Sequence, residues 1–286
     1  MQDASIRKSV FDGKFYPHDS GELAELVRGY IDSAKIDFRE CDLKALVFPH
    51  AGYIYSGTTA GYSAKALKMF STKKFLRAES KIKIFLLGLS HNIKVTGLGL
   101  STVDFWETPL GKVKVSALCS EMIRKEEICV EADRTHSVEH SIEVVIPFLQ
   151  IALSELKPAQ KFEIIPIIVS DIDFKSAAVI LEKYISANDL VIVSTDLSHY
   201  LEYSSALDID NNTVDQILRL DIGGFGKTGD ACGKESVLIL MSLARKLGWV
   251  PILADYSNSG DTAGDKKAVV GYASIIFCSA QNGSVK

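Results

Sequence analysis

The stretch Val191-Ile192-Val193-Ser194-Thr195-Asp196-Leu197-Ser198-His199 decides how this chain is read. It opens with a short apolar run, as the buried strands of a parallel sheet do, and leads into a histidine. The same pattern occurs twice more, in Leu46-Val47-Phe48-Pro49-His50 and in Phe85-Leu86-Leu87-Gly88-Leu89-Ser90-His91. The residue just past such a strand lies at its carboxyl edge, where open α/β sheets bind ligands. Three histidines delivered to that edge from distant parts of the chain can meet at one point, and the candidate occupant of that point is a metal ion.

Outward from these runs, strand-like segments near residues 44–48, 82–88, 97–103, 162–169, 190–194, 251–256 and 268–277 alternate with helix-like ones at 20–33, 57–70, 116–125, 139–156, 174–187, 205–220 and 234–247. The alternation predicts an α/β fold. Ser20 opens the first helix, with Leu23, Leu26, Val27 and Tyr30 on one face, and the second follows Gly57. Residues 104–111 read as a turn region before the alternating Lys112-Val113-Lys114-Val115. A hairpin is expected there, so the sheet should be mixed, mostly parallel and flanked by helices. The chain of 286 residues fits one domain, residues 1–286. The polar tail after Ser279 is expected to fray.

Lys plus Arg number 32 against 36 Asp plus Glu, a net charge of -4 with no long block of either sign. Nucleic acid is therefore an unpromising partner, because phosphate binding needs a concentrated basic face. No apolar run reaches the roughly 18–20 residues that cross a bilayer, so no membrane partner is expected. Met1 to Lys14 lack an apolar signal core, and export is not expected. Five cysteines (41, 119, 129, 232 and 278) form no Cys-x-x-Cys pair. That argues against a disulfide framework and for a cytoplasmic protein.

Pro49 ends its strand, and Ala51 and Gly52 leave room for close approach to the His50 imidazole. Taken singly, His50 or His91 is most simply a histidine bonded to a neighbouring carbonyl; their matching positions favour ligation. Asp196 and His199 form Asp-x-x-His, in which Asp196 orients His199, binds metal itself, or only caps a helix. Cys232, in Asp230-Ala231-Cys232-Gly233-Lys234, falls at a helix N-terminus where unpaired amides favour thiolate. His136, Glu139, His140 and Glu143 crowd together, and on a helix His136, His140 and Glu143 would share a face. His140 is then a candidate acid or base near the pocket, while capping accounts for Glu139 and His136. No His-Glu-x-x-His, phosphate-binding loop or dinucleotide fingerprint is present.

The order Pro49-His50-Ala51-Gly52-Tyr53 with Tyr55-Ser56-Gly57, Ser90-His91, Glu139-His140-Ser141-Ile142-Glu143 with Pro147-Phe148-Leu149, Asp196-Leu197-Ser198-His199-Tyr200, and Ala231-Cys232-Gly233 resembles the MEMO family (mediator of ErbB2-driven cell motility). Gly13-Lys14-Phe15-Tyr16-Pro17 and Val269-Val270-Gly271-Tyr272-Ala273 extend the likeness over nearly the whole chain. The resemblance implies a fold similar to class III extradiol dioxygenases. On that relationship His50 and His91 look like metal ligands, Cys232 looks like the family's cysteine at the same site, and His199 with Asp196 looks like an acid/base pair. A thiolate in place of the dioxygenases' carboxylate speaks against ring cleavage and suits iron(II), copper or zinc, with Glu143 or Asp196 as further oxygen ligands.

The expectation is a mononuclear nonheme iron or copper redox enzyme acting on a small-molecule or peptide ligand. His50, His91 and Cys232 would hold the metal, and His199, Asp196 and His140 would carry the proton chemistry. Two other readings stand beside it: a scaffold with a vestigial pocket, and a metal-free hydrolase with Cys232 as nucleophile and His199 as base. Family likeness also implies AMMECR-type or radical-SAM proteins as partners.

Overall fold

Short β-rich runs buried on both faces pair side by side, because each satisfies its backbone only through its neighbours. In the computed structural model, which describes residues 4–37, 41–75, 81–155 and 162–280, these runs form the middle of a twelve-stranded sheet. The elements are β1 (Ile6–Arg7), α1 (Ser20–Ser33), β2 (Leu43–Phe48), α2 (Tyr53–Phe75), β3 (Lys83–Gly88), β4 (Gly97–Leu100), β5 (Phe105–Thr108), β6 (Gly111–Val115), α3 (Leu118–Lys125), β7 (Cys129–Glu131) and α4 (Asp133–His136). A 3-10 turn (Glu143–Val145) then runs into α5 (Ile146–Ala152), followed by β8 (Glu163–Ser170), α6 (Phe174–Tyr184), β9 (Leu190–Ser194), β10 (His199–Leu201), α7 (Tyr203–Leu218), α8 (Ile222–Thr228), α9 (Lys234–Leu247), β11 (Trp249–Asn258), α10 (Ser259–Thr262) and β12 (Val269–Ser279).

The strand order is β1-β5-β6-β8-β3-β9-β2-β12-β10, with β11 also on β12, β4 also on β8, and β7 on β4. Strands β6, β8, β3, β9 and β2 run parallel, in a register that sets Leu87 and Val47 on either side of Val193. The carboxyl ends of β2, β3 and β9 therefore open at one edge. Burying each Val, Ile or Leu of these strands contributes roughly 1.5–3 kcal/mol. Helices α1, α2 and α5 pack together, with α2 against β2, β11 and β12; α6, α8 and α9 pack together, with α9 against β8, β9 and β11. The sheet is mixed as expected, but residues 105–108, expected within a turn, form strand β5 and make the hairpin with β6, while β4 pairs with β7 and β8. No helix among the described residues is long and apolar enough to cross a membrane.

Helix α1 spans the expected Ser20–Ser33, capped by Asp19, which accepts from the Gly21 and Glu22 amides. Other expectations are corrected. Helix α2 starts at Tyr53, ahead of Gly57. Gly57 and Gly61 serve close packing: a Cβ on Gly57 would lie 2.4 Å from the Tyr30 ring, and one on Gly61 would lie 2.5 Å from the Tyr30 carbonyl oxygen. The helix expected over 139–156 is cut down to the 3-10 turn and α5; at Glu139 the chain is held instead by its carboxylate on the N–H and Nδ1–H of His91 in the loop after β3.

The expected absence of disulfides is also overturned. Cys41 and Cys278 are bonded, with an S–S distance of 2.00 Å and their Cα atoms 5.3 Å apart. They are 237 residues apart in sequence, and only the antiparallel pairing of β2 with β12, which sets Cys278 opposite Leu43, brings them together. Cysteine usage thus gives no support to a reducing compartment. Cys119, Cys129 and Cys232 are free. The tail after Ala280 and residues 1–3 lie outside the described residues.

Candidate metal centre

Strand β2 ends at Phe48, Pro49 turns the chain, and His50 follows with only 2 % of its surface exposed. Its backbone N–H donates to Asp196 Oδ1 at 2.7 Å, and its Nδ1 lies 2.9 Å from Ser194 Oγ. The Ser194 hydroxyl proton is committed to the Ser141 carbonyl. Ser194 can therefore only accept from His50, which places the imidazole proton on Nδ1 and leaves a lone pair on Nε2. That Nε2 stands 3.3 Å from Cys232 Sγ and 4.0 Å from Asp196 Oδ2.

His91, in the loop after β3, donates from its backbone N to Glu139 Oε2 at 2.7 Å and from Nδ1 to Glu139 Oε1 at 2.9 Å. Hydrogen bonding to Cys232, followed by that to Glu139, holds its imidazolium up to about 9. With Nδ1 on the carboxylate, the contact to sulfur falls to Nε2. Positive charge is thus stabilised where a metal would replace the proton.

His140 is stacked on His91 with ring centres 4.5 Å apart and an interplanar angle of 19°. Its other face meets Phe15 at 4.5 Å. Burial, reinforced by the His50 ring, pushes His140 down to about 3, so it is neutral with a free lone pair. One nitrogen from each of His50, His91 and His140 lies within 4.8 Å of the others. Sequence reasoning gave His140 a supporting part in the pocket; the fold makes it one of three converging imidazoles.

Cys232, expected as a third ligand with His50 and His91, is not one of the three mutually close groups; its sulfur adjoins them through His50. It sits two residues before α9, where the expected helix N-terminus is indeed found. Its Sγ accepts from the Asp196 amide at 3.2 Å and lies 3.5 Å from Thr195 Oγ1. The neighbouring Gly233 allows this approach, since a Cβ there would lie 3.0 Å from the Thr195 side chain. Three imidazole nitrogens with a sulfur beside one of them would suit iron, copper or zinc. Lone pairs from His50 and His140 aimed at one spot repel each other unless a cation stands between them, and the fit is good on that ground too.

His199 follows β9 through Asp196, and its Nδ1 donates to the Leu197 carbonyl at 2.8 Å. Leu197, not Asp196, therefore sets the His199 ring; Asp196 serves the His50 loop. His199 shares with the three imidazoles and Cys232 a cavity of about 850 Å³, whose rim includes Lys14, Phe15, Tyr55 and Tyr272. Tyr200, beside it, takes a left-handed backbone (φ 59) and is 77 % exposed at the mouth.

His136 and Glu143 do not join the site. His136 ends α4, its Nε2 donating to the Gly99 carbonyl at 3.1 Å and its ring edge-on to Trp106. Glu143 is saturated: it pairs with Arg7 at 2.6 Å, takes the Tyr16 hydroxyl at 2.6 Å, and accepts the Val10 and Phe11 amides. It secures the N-terminal segment over the pocket and has no oxygen left for a metal. Sequence reasoning passed over Ser194, which fixes the His50 tautomer, because its partners stand 53 and 144 residues away.

The profile of the Memo-like protein family matches residues 7–276. This chain belongs to the Memo-like family. It is 35 % identical over 287 residues to a MEMO1 family protein of Thermoplasma volcanium, covering 96 % of this chain and 98 % of that one. A MEMO1 family protein of Nitrosopumilus maritimus is 34 % identical, covering 95 % and 99 %, and one of Aquifex aeolicus is 33 % identical with the same coverage. Family membership thus spans the segments that carry His50, His91, His140, Asp196, His199 and Cys232.

Proposed function

We propose that this Memo-like protein binds one redox-active transition metal, iron or copper, and acts on a small oxygen-bearing molecule. The observation that carries the proposal is the convergence of His50, His91 and His140 within 4.8 Å, with Cys232 Sγ 3.3 Å from His50. The likeness to class III extradiol dioxygenases implied by the motifs supports it, although sulfur among the donors argues for chemistry other than ring cleavage. His50, His91, His140 and Cys232 would hold the ion, which supplies Lewis acidity and electron transfer when bound.

The chain's own residues supply the rest. Ser194 keeps the lone pair of His50 on Nε2. His199, its Nδ1 proton held by Leu197, offers Nε2 to the cavity as proton acceptor. Phe15, Tyr55 and Tyr272 give the cavity an apolar wall that excludes water from a small ligand.

Elemental analysis with electron paramagnetic resonance on anaerobically purified protein tests the proposal. One iron or copper per chain is expected, lost in His50→Ala and in Cys232→Ala. Metal-free protein that neither binds added Fe(II) nor Cu(I) would refute it. The contact of Cys232 with His50 also favours a second reading, a metal-free thiol nucleophile whose base is His50 in place of the expected His199. That reading requires rapid iodoacetamide labelling of Cys232 that added metal does not slow.

A further inference from the structure

Glu139 is 1 % exposed, and its two oxygens receive four donors. Oε2 accepts the His91 backbone N–H at 2.7 Å. Oε1 accepts His91 Nδ1–H at 2.9 Å, the His140 N–H at 3.0 Å and the Ser141 N–H at 2.9 Å, and lies 3.4 Å from His140 Nδ1. One carboxylate therefore ties the loop after β3, carrying His91, to the loop before α5, carrying His140. These loops are 48 residues apart in sequence, yet the two imidazoles end in parallel stack.

We infer that Glu139 is the positioning residue of the metal centre: it fixes the Nδ1–H tautomer of His91 and locks the His91 and His140 rings together, so that both present nitrogen to one ion. The inference rests on the metal-binding reading. A general helix cap would need only the amides of His140 and Ser141; the two bonds to His91 have no capping purpose. The charge is essential because every group facing the carboxylate is a donor. In Glu139→Gln the new amide NH2 must point at a donor in either orientation, at His91 N–H or at the trio around Oε1. In Glu139→Asp the charge is kept, but one methylene fewer prevents the carboxylate from reaching both loops.

The test uses full-length protein with Co(II) as probe, because cobalt absorption reports sulfur coordination and site symmetry directly. Tautomers are read in the metal-free protein, at a pH high enough that the His91 ring carries a single proton, by long-range proton–nitrogen NMR. Wild type should bind one Co(II) and show the His91 proton on Nδ1. Glu139→Gln and Glu139→Asp should bind Co(II) about 10–100-fold more weakly, the usual effect of removing an outer-shell partner. In both variants the His91 tautomer should become mixed. Glu139→Asp keeps the test open if Glu139→Gln does not fold. Variants that bind within about threefold of wild type with the His91 proton unmoved would overturn the inference. Wild type that binds no Co(II) would count against the metal reading alone; the tautomer measurement would still decide whether Glu139 positions His91.

Discussion

His136 is kept neutral inside the protein, and this has a consequence in acid. Burial, with the Arg7 guanidinium adding to it, pushes its imidazole down to about 4 from an ordinary 6.5. Between those values the unfolded chain binds a proton that the folded chain does not, so stability falls as pH drops through the window and is undiminished above it. The full loss is about 3 kcal/mol. Urea unfolding of wild type and His136→Gln at pH 7 and pH 4.5 checks this. Wild type should lose about 2–3 kcal/mol more than the variant on acidification, and equal losses in both would contradict the assignment. At this scale His50, His91 and Cys232 were legible because each follows a local signal, a strand end or a helix start. Glu139 and Ser194 were not, because their significance lies in partners that only the sheet brings near.

Among the elements, the α1–α2 contact is the sharpest case of a residue whose meaning depends on its neighbour. Both Gly29 and Gly61 are helical glycines, and sequence alone treats them alike. Nothing lies within 4 Å of a Cβ built on Gly29, whereas one on Gly61 meets the Tyr30 backbone, which cannot give way. Gly29→Ala should therefore stabilise the protein by about 0.5–1 kcal/mol through helix propensity. Gly61→Ala should destabilise it by about 1–3 kcal/mol through overpacking. Denaturant midpoints of the two variants decide the matter, and shifts of the same sign would show that the close approach is not real. Helix α9 and the central strands matched expectation because periodicity and capping agree there. The 139–146 segment did not, since Glu139 is tied to His91 in the loop after β3, a partner that no local pattern announces.

For the whole molecule, the parallel strands place the three imidazoles of the candidate metal site at one edge of the sheet, while the Cys41–Cys278 bridge ties the start of β2 to the end of β12 at the other. Closing so long a loop contributes about 2–5 kcal/mol. Cys41→Ser should lower the non-reducing unfolding midpoint accordingly and leave metal content untouched; an unchanged midpoint would show that the bridge contributes nothing. The α/β class and most strands could be read from apolar runs alone. The bridge could not, because the neighbours of β12 are fixed by topology and not by any local pattern.

Whether the imidazoles and the Cys232 sulfur hold the same ion is measured most directly by X-ray absorption at the zinc edge of the zinc-loaded protein. Nitrogen scatterers at about 2.0–2.1 Å together with one sulfur at about 2.3 Å are expected, with the sulfur lost in Cys232→Ser and nitrogen lost in His91→Ala. A shell of oxygen alone, or a spectrum that neither substitution changes, would contradict a shared ion.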